Sequence, residues 1–403
     1  MPSSILSPVT LKEFSKSHQL TWVKYRRAFH QIAELSWKEE KTLKKLVAFL
    51  HKIVPLTDSN FDLKMFKGGL CLDCQFNQKA PWLLFRCELD GLPIEEKTNL
   101  PFSSIHKGIM HACGHDFHIA MLLGAIHSIF LMPIKPQNNI RFVFQRAEET
   151  GTIHSGGKML VDEGILNGIN RVFGLHISSL LPPFEFYSNP GAFLASPRCI
   201  DLQIRTTGGH VMHPNQGTNA IDILTDILSK LKEIQNKIVT KDESIVIVPS
   251  ILEAGTASNI RPQVGRLKLA IRTFLDQNNA NQLTQNLKKE IENIVNYYPD
   301  SSIEKFIVEE GYPVLKNDPS SMKQVFDLLA PHYKVSKHPP LFAGEDFSYF
   351  LQKTKGCYIL LGAKNKEGQD HHTANFNPNE KVLHQGVSFW LLLAYHPQWN
   401  LEN

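Results

Sequence analysis

Residues 118–132, HIAMLLGAIHSIFLM, carry apolar side chains on most sides of a helix, and a helix without a polar face has to be buried. A chain that contains it must therefore wrap it with other elements. The neighbouring sequence supplies them. APWLLFRCELDGLPIEE reads as a buried strand that ends in a polar turn. NNIRFVFQRAEET is a second apolar strand, ending in carboxylates, and RVFGLHISS a third, ending in a histidine. Strands alternating with helices predict an α/β domain with a largely parallel central sheet. In such sheets the chemistry gathers where strands end, and Asp90, Glu148, Glu149 and His176 all follow apolar, strand-like runs. Ahead of them, LTWVKYRRAFHQIAELSWKEEKTLKKLVAFLHKI has the apolar spacing of one or two amphipathic helices, and LKMFKGGLCLDCQF alternates like a strand pair.

From about residue 197 the texture changes. RCIDLQIRTTGGHVMH reads as a strand, NAIDILTDILSKLKEIQNKI as an amphipathic helix, and SIVIVPSILEAG and GRLKLAIRTFLD as strands. NANQLTQNLKKEIENIVNYY is a second amphipathic helix, followed by the strand SIEKFIVEEGYP. The order β-α-β-β-α-β is that of a ferredoxin-like module. The expected organisation is one domain from 1–196 and 311–403, with 197–310 inserted as a second.

Charge and composition narrow the function. A net charge of +4, with no basic block or aromatic-interleaved basic stripe, makes nucleic acid an unexpected partner. No segment approaches the ~18 uninterrupted apolar residues of a membrane span, and the opening MPSSILSPVTLKEF does not read as a secretory signal. Six irregularly spaced cysteines are too few for a disulfide scaffold, so a cytoplasmic enzyme is the expectation. Cys71 and Cys74 form a C-x-x-C without a second pair, which reads as strand packing rather than a zinc or redox site.

The chemistry concentrates in HACGHDFH, residues 111–118. Cys113 as thiolate and His115 as neutral imidazole both suit a borderline-soft divalent metal. With Gly114 between them they can point to one centre if the backbone turns. The plainer alternative is a helix N-terminus with scattered histidines. Glu148 and Glu149 repel each other unless a cation is near; one carboxylate then binds it and the other stays free to carry a proton. The alternative is a solvated turn. His176 and the pair His371-His372 are further candidate ligands, though each alone reads equally as a structural histidine. Asp90 and Glu88 share one face of their strand by alternation. His210 follows two glycines, which allow close backbone approach to a ligand. Glu345 and Asp346 follow Gly344 near another presumed strand end.

Taken in order, RRAFHQIAELSWKEEKT, ELDGLPIEE, MHACGHDFHIAMLLGA, FVFQRAEET, GLHIS, GGHVMHP, AIRTF, GEDFS and HHTANF resemble a known family from about residue 20 to 390. The chain is similar to the co-catalytic metallopeptidases of the aminoacylase/carboxypeptidase superfamily, within it to the N-acyl-amino-acid amidohydrolases (hippurate and indole-acetyl-amino-acid hydrolases). ACGHD is specific to that branch; the other motifs are strong as an ordered set. The resemblance implies a dinuclear metal-binding α/β catalytic domain and a smaller lid that mediates homodimerisation. It implies Cys113, His115, Glu149, His176 and His372 as metal ligands, with His372 chosen over His371 because Phe376 then falls at the family's spacing. It implies Glu148 as general base, Asp90 as the carboxylate that orients a ligand, and His210 as a lid residue holding the scissile carbonyl, in some relatives from the partner subunit. Asn259 and Arg272 lie in lid motifs linked to substrate binding. Cys113 stands where some relatives bridge the metals with a carboxylate. Two divalent ions are implied: thiolate softness favours zinc, and the branch also uses manganese, nickel or cobalt.

The implied reaction is hydrolysis of the amide of an N-acyl amino acid. A dipeptidase or carboxypeptidase on the same scaffold is the near alternative. A metal-binding regulatory relative without turnover, or a thiol redox enzyme, are alternatives from other classes. Three departures stand out. QRAEE replaces the usual QPAEE, so Arg146 adds a positive charge that is expected to narrow the pocket or favour an acidic acyl group. IAEL replaces PEL near Ala33. NIRPQ around Arg261 replaces a more apolar NVIPD.

Overall fold

The computed structural model describes residues 6–213, 216–238, 245–366, 369–397 and 399. Pro214, which ends GGHVMHP, and Ser244, which starts SIVIVPS, lie outside the described residues. The strands in chain order are β1 (Phe61–Phe66), β2 (Gly69–Cys74), β3 (Trp82–Glu88), β4 (Asn139–Gln145), β5 (Arg171–Ser178), β6 (Glu185–Ser188), β7 (Gly191–Leu194), β8 (Ser196–Arg205) and β9 (Gly209–His210). They continue as β10 (Ile245–Ala254), β11 (Ile260–Arg261), β12 (Val264–Thr273), β13 (Ser302–Glu310), β14 (Leu315–Asn317), β15 (Lys334–Lys337) and β16 (Gly356–Gly362).

The main sheet runs β1-β2-β4-β3-β5-β16-β6-β15. Its middle, β4-β3-β5-β16, is parallel, as is β6-β15; the other pairs are antiparallel. The sheet is thus mixed but mostly parallel, in line with near-continuous apolar runs that are buried on both faces. β3 shows the reason: every residue from Leu83 to Glu88 is buried.

The apolar helix spans His115–Leu131. It packs on β3 and against the helices Gln19–His30 and Leu383–Tyr395. Those contacts need small residues: a Cβ on Gly124 would meet Val387 at 2.7 Å and Trp22 at 3.1 Å, and one on Gly386 would overlap Met121. The early amphipathic stretch resolves into two helices, Gln19–His30 and Glu40–Ile53. Cys71 and Cys74 are both buried in β2 but belong to separate hydrophobic clusters, so they serve strand packing and do not form a pair.

The second sheet, β10-β12-β8-β13, is wholly antiparallel. Taking β8, β10, β12 and β13 as strands one to four, its order is 2-3-1-4, with helices Ala220–Ile238 and Gln277–Tyr297 as the crossovers. This is the ferredoxin-like arrangement. Its fully buried core lies within 200–295, with Tyr298, Ile303, Phe306 and Val308 packed against it, and is separate from the cores around the main sheet. No helix among the described residues is long and apolar enough to cross a membrane.

Candidate active site

Three adjacent parallel strands deliver the acidic and imidazole groups to one edge of the main sheet. β3 leads to Glu88 and Asp90, β4 to Glu148 and Glu149, and β5 carries His176 near its end. The N-terminus of the buried helix adds His115. Gly114, at φ +96°, makes the turn between Cys113 and His115; a Cβ there would strike Ile177 at 2.6 Å. The glycine in ACGHD is therefore required by backbone geometry, and it turns Cys113 and His115 toward a common space. Ala147 at φ +51° and His372 at φ +61° are non-glycine residues in the left-handed region at the same site, a conformation that persists only where the surroundings hold it.

The ligand-type atoms form several overlapping groups, one of which sets Glu148 with His115 and Glu149. Cys113, His115 and His176 lie within 4.8 Å of one another, as do Cys113, Glu149 and His372, so Cys113 is common to both. Cys113 Sγ is 3.4 Å from His176 Nε2. Glu149 Oε1 is 3.8 Å from His115 Nε2 and 3.5 Å from His372 Nε2. The ring tautomers are set from behind. His176 Nδ1 faces the Ile177 carbonyl at 2.6 Å and His115 Nδ1 the Asp90 carbonyl at 2.8 Å, so each Nδ1 donates, and in the neutral ring the lone pair sits on Nε2. Asp90 adds Oδ1 at 3.2 Å from the same His115 nitrogen, and its Oδ2 accepts from Ser36 Oγ and from the Glu149 amide.

Two other histidines of the motif region are occupied. His118 donates from Nδ1 to Glu88 at 2.7 Å and accepts the Ile177 amide on Nε2. His371 accepts the Ser179 amide on Nε2, whereas His372 turns toward Glu149.

The electrostatics are those of a crowded, anionic space. Burial pushes Glu148 well above the ordinary carboxylate range, and Glu345, Glu149, Asp346 and Asp90 push it further. Burial also raises the Cys113 thiol, again helped by Glu149 and Glu148. Burial opposes charge on His115, but the Asp90 hydrogen bond and the charges of Glu88, Asp90 and Glu149 outweigh it and carry it up to about 10. His176 is held low by burial and by His118 and His371. Meanwhile His115 Nε2 and Glu149 Oε1 are buried with no hydrogen-bond partner among the described residues. Buried polar atoms of this kind are ordinarily satisfied, and lone pairs of nitrogen, sulfur and oxygen converging on one space are a donor set for divalent cations.

Sequence reasoning missed the layer beneath. Arg86, fully buried, bridges Glu88, Glu345 and Asp346 and donates from Nε to Gln145 at 2.8 Å. Tyr358 donates to Glu345, and Gln145 and the Gly157 amide donate to Asp346. Glu345 and Asp346, singled out without a role, are thus anchored to this cation. An arginine inside the apolar run PWLLFRCELD, on the same strand face as Glu88, was the available signal.

Arg146 is held by an acidic partner. Its Nε donates to Glu39 at 2.8 Å, its guanidinium lies over Trp37, and the other Glu39 oxygen accepts the Ala147 amide at 2.7 Å. The charge is engaged by a buried carboxylate that holds the strained residue before Glu148. Arg146→Met should therefore leave the ratio of kcat/KM for acidic and neutral substrates unchanged. It should cost about 2–4 kcal/mol of stability, below the fully buried limit because the side chain is 17% exposed. A change in that ratio without loss of stability would put Arg146 in the pocket after all.

His210, Asn259 and Arg272 are not brought into the cluster. His210 and Asn259 are exposed, on the β9–β11 pair and the turn before it, where the Val211 amide bonds the Asn259 carbonyl. His210 Nδ1 accepts the Met212 amide, so Nε2 carries the proton outward. Arg272 is half-buried on β12 and makes no ion pair among the described residues.

Comparison with known proteins agrees with this architecture. The chain is 32% identical to thermostable carboxypeptidase 1 of Saccharolobus solfataricus over 375 residues, 92% of this chain and 94% of that one. It is 30% identical to an N-acetyldiaminopimelate deacetylase of Lactococcus lactis subsp. cremoris over 365 residues, 90% and 94% of the two chains. A Bacillus subtilis crystal structure, described as a dinuclear metal-binding peptidase of the M20 family, superposes with a TM-score of 0.77 at 26% identity, covering 94% of this chain and 98% of that one. The model of peptidase family M20/M25/M40 matches residues 84–396, most of the main sheet and all of the ferredoxin-like insertion, and the chain belongs to that family.

Proposed function

We propose that this chain is a metal-dependent amidohydrolase that cleaves the acyl group from an N-acyl amino acid. The observation that carries the reading is the pair of partnerless, buried atoms His115 Nε2 and Glu149 Oε1, set among Cys113, His176 and His372. Cys113, His115, Glu149, His176 and His372 would together hold two divalent ions there. Relatives named as deacetylases of N-acetyldiaminopimelate and N-acetylcysteine support the substrate class. Among zinc, manganese, nickel and cobalt, the Cys113 thiolate favours zinc.

Bound there, the cations would supply Lewis acidity and a water of lowered pKa. The remaining work falls to the chain. Glu148, raised above the usual carboxylate range and next to Glu149, takes the proton of the attacking water and returns it to the leaving amine. Asp90 holds His115 in the tautomer that leaves Nε2 free. His210, with an outward Nε2–H, donates to the carbonyl oxygen as it gains charge. Arg272, without an ion pair among the described residues, takes the substrate carboxylate, with Asn259 beside His210 adding a polar contact. The same reading divides the chain at 196/197 and 310/311, and includes a cytoplasmic location and a homodimer through the lid. β10 supports the dimer, since it is an edge strand that exposes Val248, Ile251 and Leu252. A partner lid then brings its His210 to a site that this chain's own His210 does not contact.

The test is metal content by mass spectrometry, with release of free amine from a panel of N-acyl amino acids and dipeptides before and after chelation. About two metals per chain, and activity lost on chelation and restored by metal, are expected. Turnover of dipeptides in preference to N-acyl amino acids would favour the carboxypeptidase reading, to which the 32% relative points. A chain that takes up no metal would overturn the mechanism.

A further inference from the structure

Residues 197–310 connect to the rest of the chain at two adjacent points. β8 begins at Ser196 and β13 ends at Glu310, and the two strands pair with Arg198 opposite Glu310. The crossing is tight. The Gly311 amide donates to the Pro197 carbonyl at 3.0 Å, and a Cβ on Gly311 would sit 2.6 Å from that oxygen and 2.8 Å from the Gly151 carbonyl. Ser196 Oγ donates to the Tyr312 carbonyl at 2.7 Å, tying one connection to the other.

The next side chain reaches the catalytic turn. Tyr312 is buried, and its hydroxyl donates to the backbone carbonyl of Glu148. The same oxygen accepts the Gly151 amide at 2.8 Å and lies 3.3 Å from Thr150 Oγ1. Thus a single phenol spans the turn 148–151, one residue beyond Gly311 at the tight crossing. On the other side the turn is held by Glu39 at Ala147. A group that fixes the main chain on one side only would leave the strained Ala147–Glu148 link free to relax.

We infer that Tyr312 is a positioning residue that ties the orientation of residues 197–310 to the main chain of Glu148. The inference rests on the reading of Glu148 as general base. It makes the Glu148 carboxylate sensitive to where the lid stands, through one hydroxyl at the hinge and no contact with substrate.

Tyr312→Phe keeps the ring and removes the link. Its kcat should fall about 10-fold with KM within about two-fold, since proton transfer needs the base held in place and binding does not. Metal content should not change, and amide exchange of the 148–152 peptide should quicken. Ser196→Ala, which touches neither Glu148 nor the metal-binding side chains, should quicken the same exchange and lower kcat by a smaller factor, adding nothing on top of Tyr312→Phe. Unchanged kcat in Tyr312→Phe, or a rise in KM alone, would overturn the inference. If Tyr312→Phe does not fold, Ser196→Ala decides: exchange at 148–152 equal to wild type overturns it. If the wild-type protein turns over no N-acyl amino acid or dipeptide, the proposed function fails by itself. The exchange comparison, which uses no substrate, still decides the hinge link.

Discussion

Glu148→Gln should lower kcat by a factor of about 10²–10⁴, the usual contribution of a positioned acid–base group, while bound metal stays at the wild-type level. Glutamine keeps the shape and the backbone contacts of Glu148 but takes no proton. The backbone carbonyl of residue 148 would still accept from Tyr312, and the Glu149 amide would still donate to Asp90. The loss therefore isolates proton transfer from metal binding. The pH profile gives a second reading. Burial and the neighbouring carboxylates raise Glu148, so in the wild type the rate should fall on the acid side as Glu148 is protonated. The glutamine variant should lose that limb along with its rate. Measured by amine release together with metal analysis, retention of near-wild-type kcat would remove Glu148 from the mechanism.

The second large effect is on stability. Arg86→Met should destabilise the fold by about 3–5 kcal/mol, because it strands buried carboxylates without their cation. Glu88, Glu345 and Asp346 all meet Arg86, and each is buried. The effect carries a pH signature. Burial holds the Asp346 carboxyl up at about 7 even though Arg86 draws it down. A carboxyl whose folded pKa exceeds the unfolded value of ~3.9 binds more protons when folded. Its stabilising contribution is then present at low pH and is lost as pH rises through about 7. Without Arg86 that pKa rises further. The gap in melting temperature between wild type and Arg86→Met should be widest near about pH 8 and narrow toward about pH 5. Parallel melting curves across that range would show that the three carboxylates do not depend on this cation.

Much of the site was legible from local pattern. Asp90, Glu148, Glu149 and His176 each follow an apolar run that had to be a buried strand, and polar groups at the ends of parallel strands meet at one edge. The same runs predicted a mostly parallel sheet, the structure adding the antiparallel pairs β1-β2, β2-β4 and β16-β6, and the β-α-β-β-α-β order predicted the ferredoxin-like insertion. The choice of His372 came from motif spacing, and the structure shows His371 occupied by Ser179. Other features were hidden because they depend on partners far away in the chain. Arg146 read as a charge near the base, but Glu39, 107 residues away, takes it up. Arg86 read as one letter in a strand, yet it meets Asp346 from 260 residues away. Tyr312 gave no local signal, since the Glu148 carbonyl it meets lies 164 residues away in the chain.

The sequence by itself determined which segments are buried and how they alternate. Apolar periodicity is a local property, and burial follows from it wherever the chain goes. From that came the α/β class, the inserted domain and the strand ends that carry the carboxylates and imidazoles. Only the tertiary structure decided which nitrogen of each imidazole is free, which carboxylate is neutralised from behind, and which charge is held by a buried partner. Those outcomes depend on hydrogen bonds and charges a few ångströms apart between residues distant in sequence, and no local pattern encodes such distances.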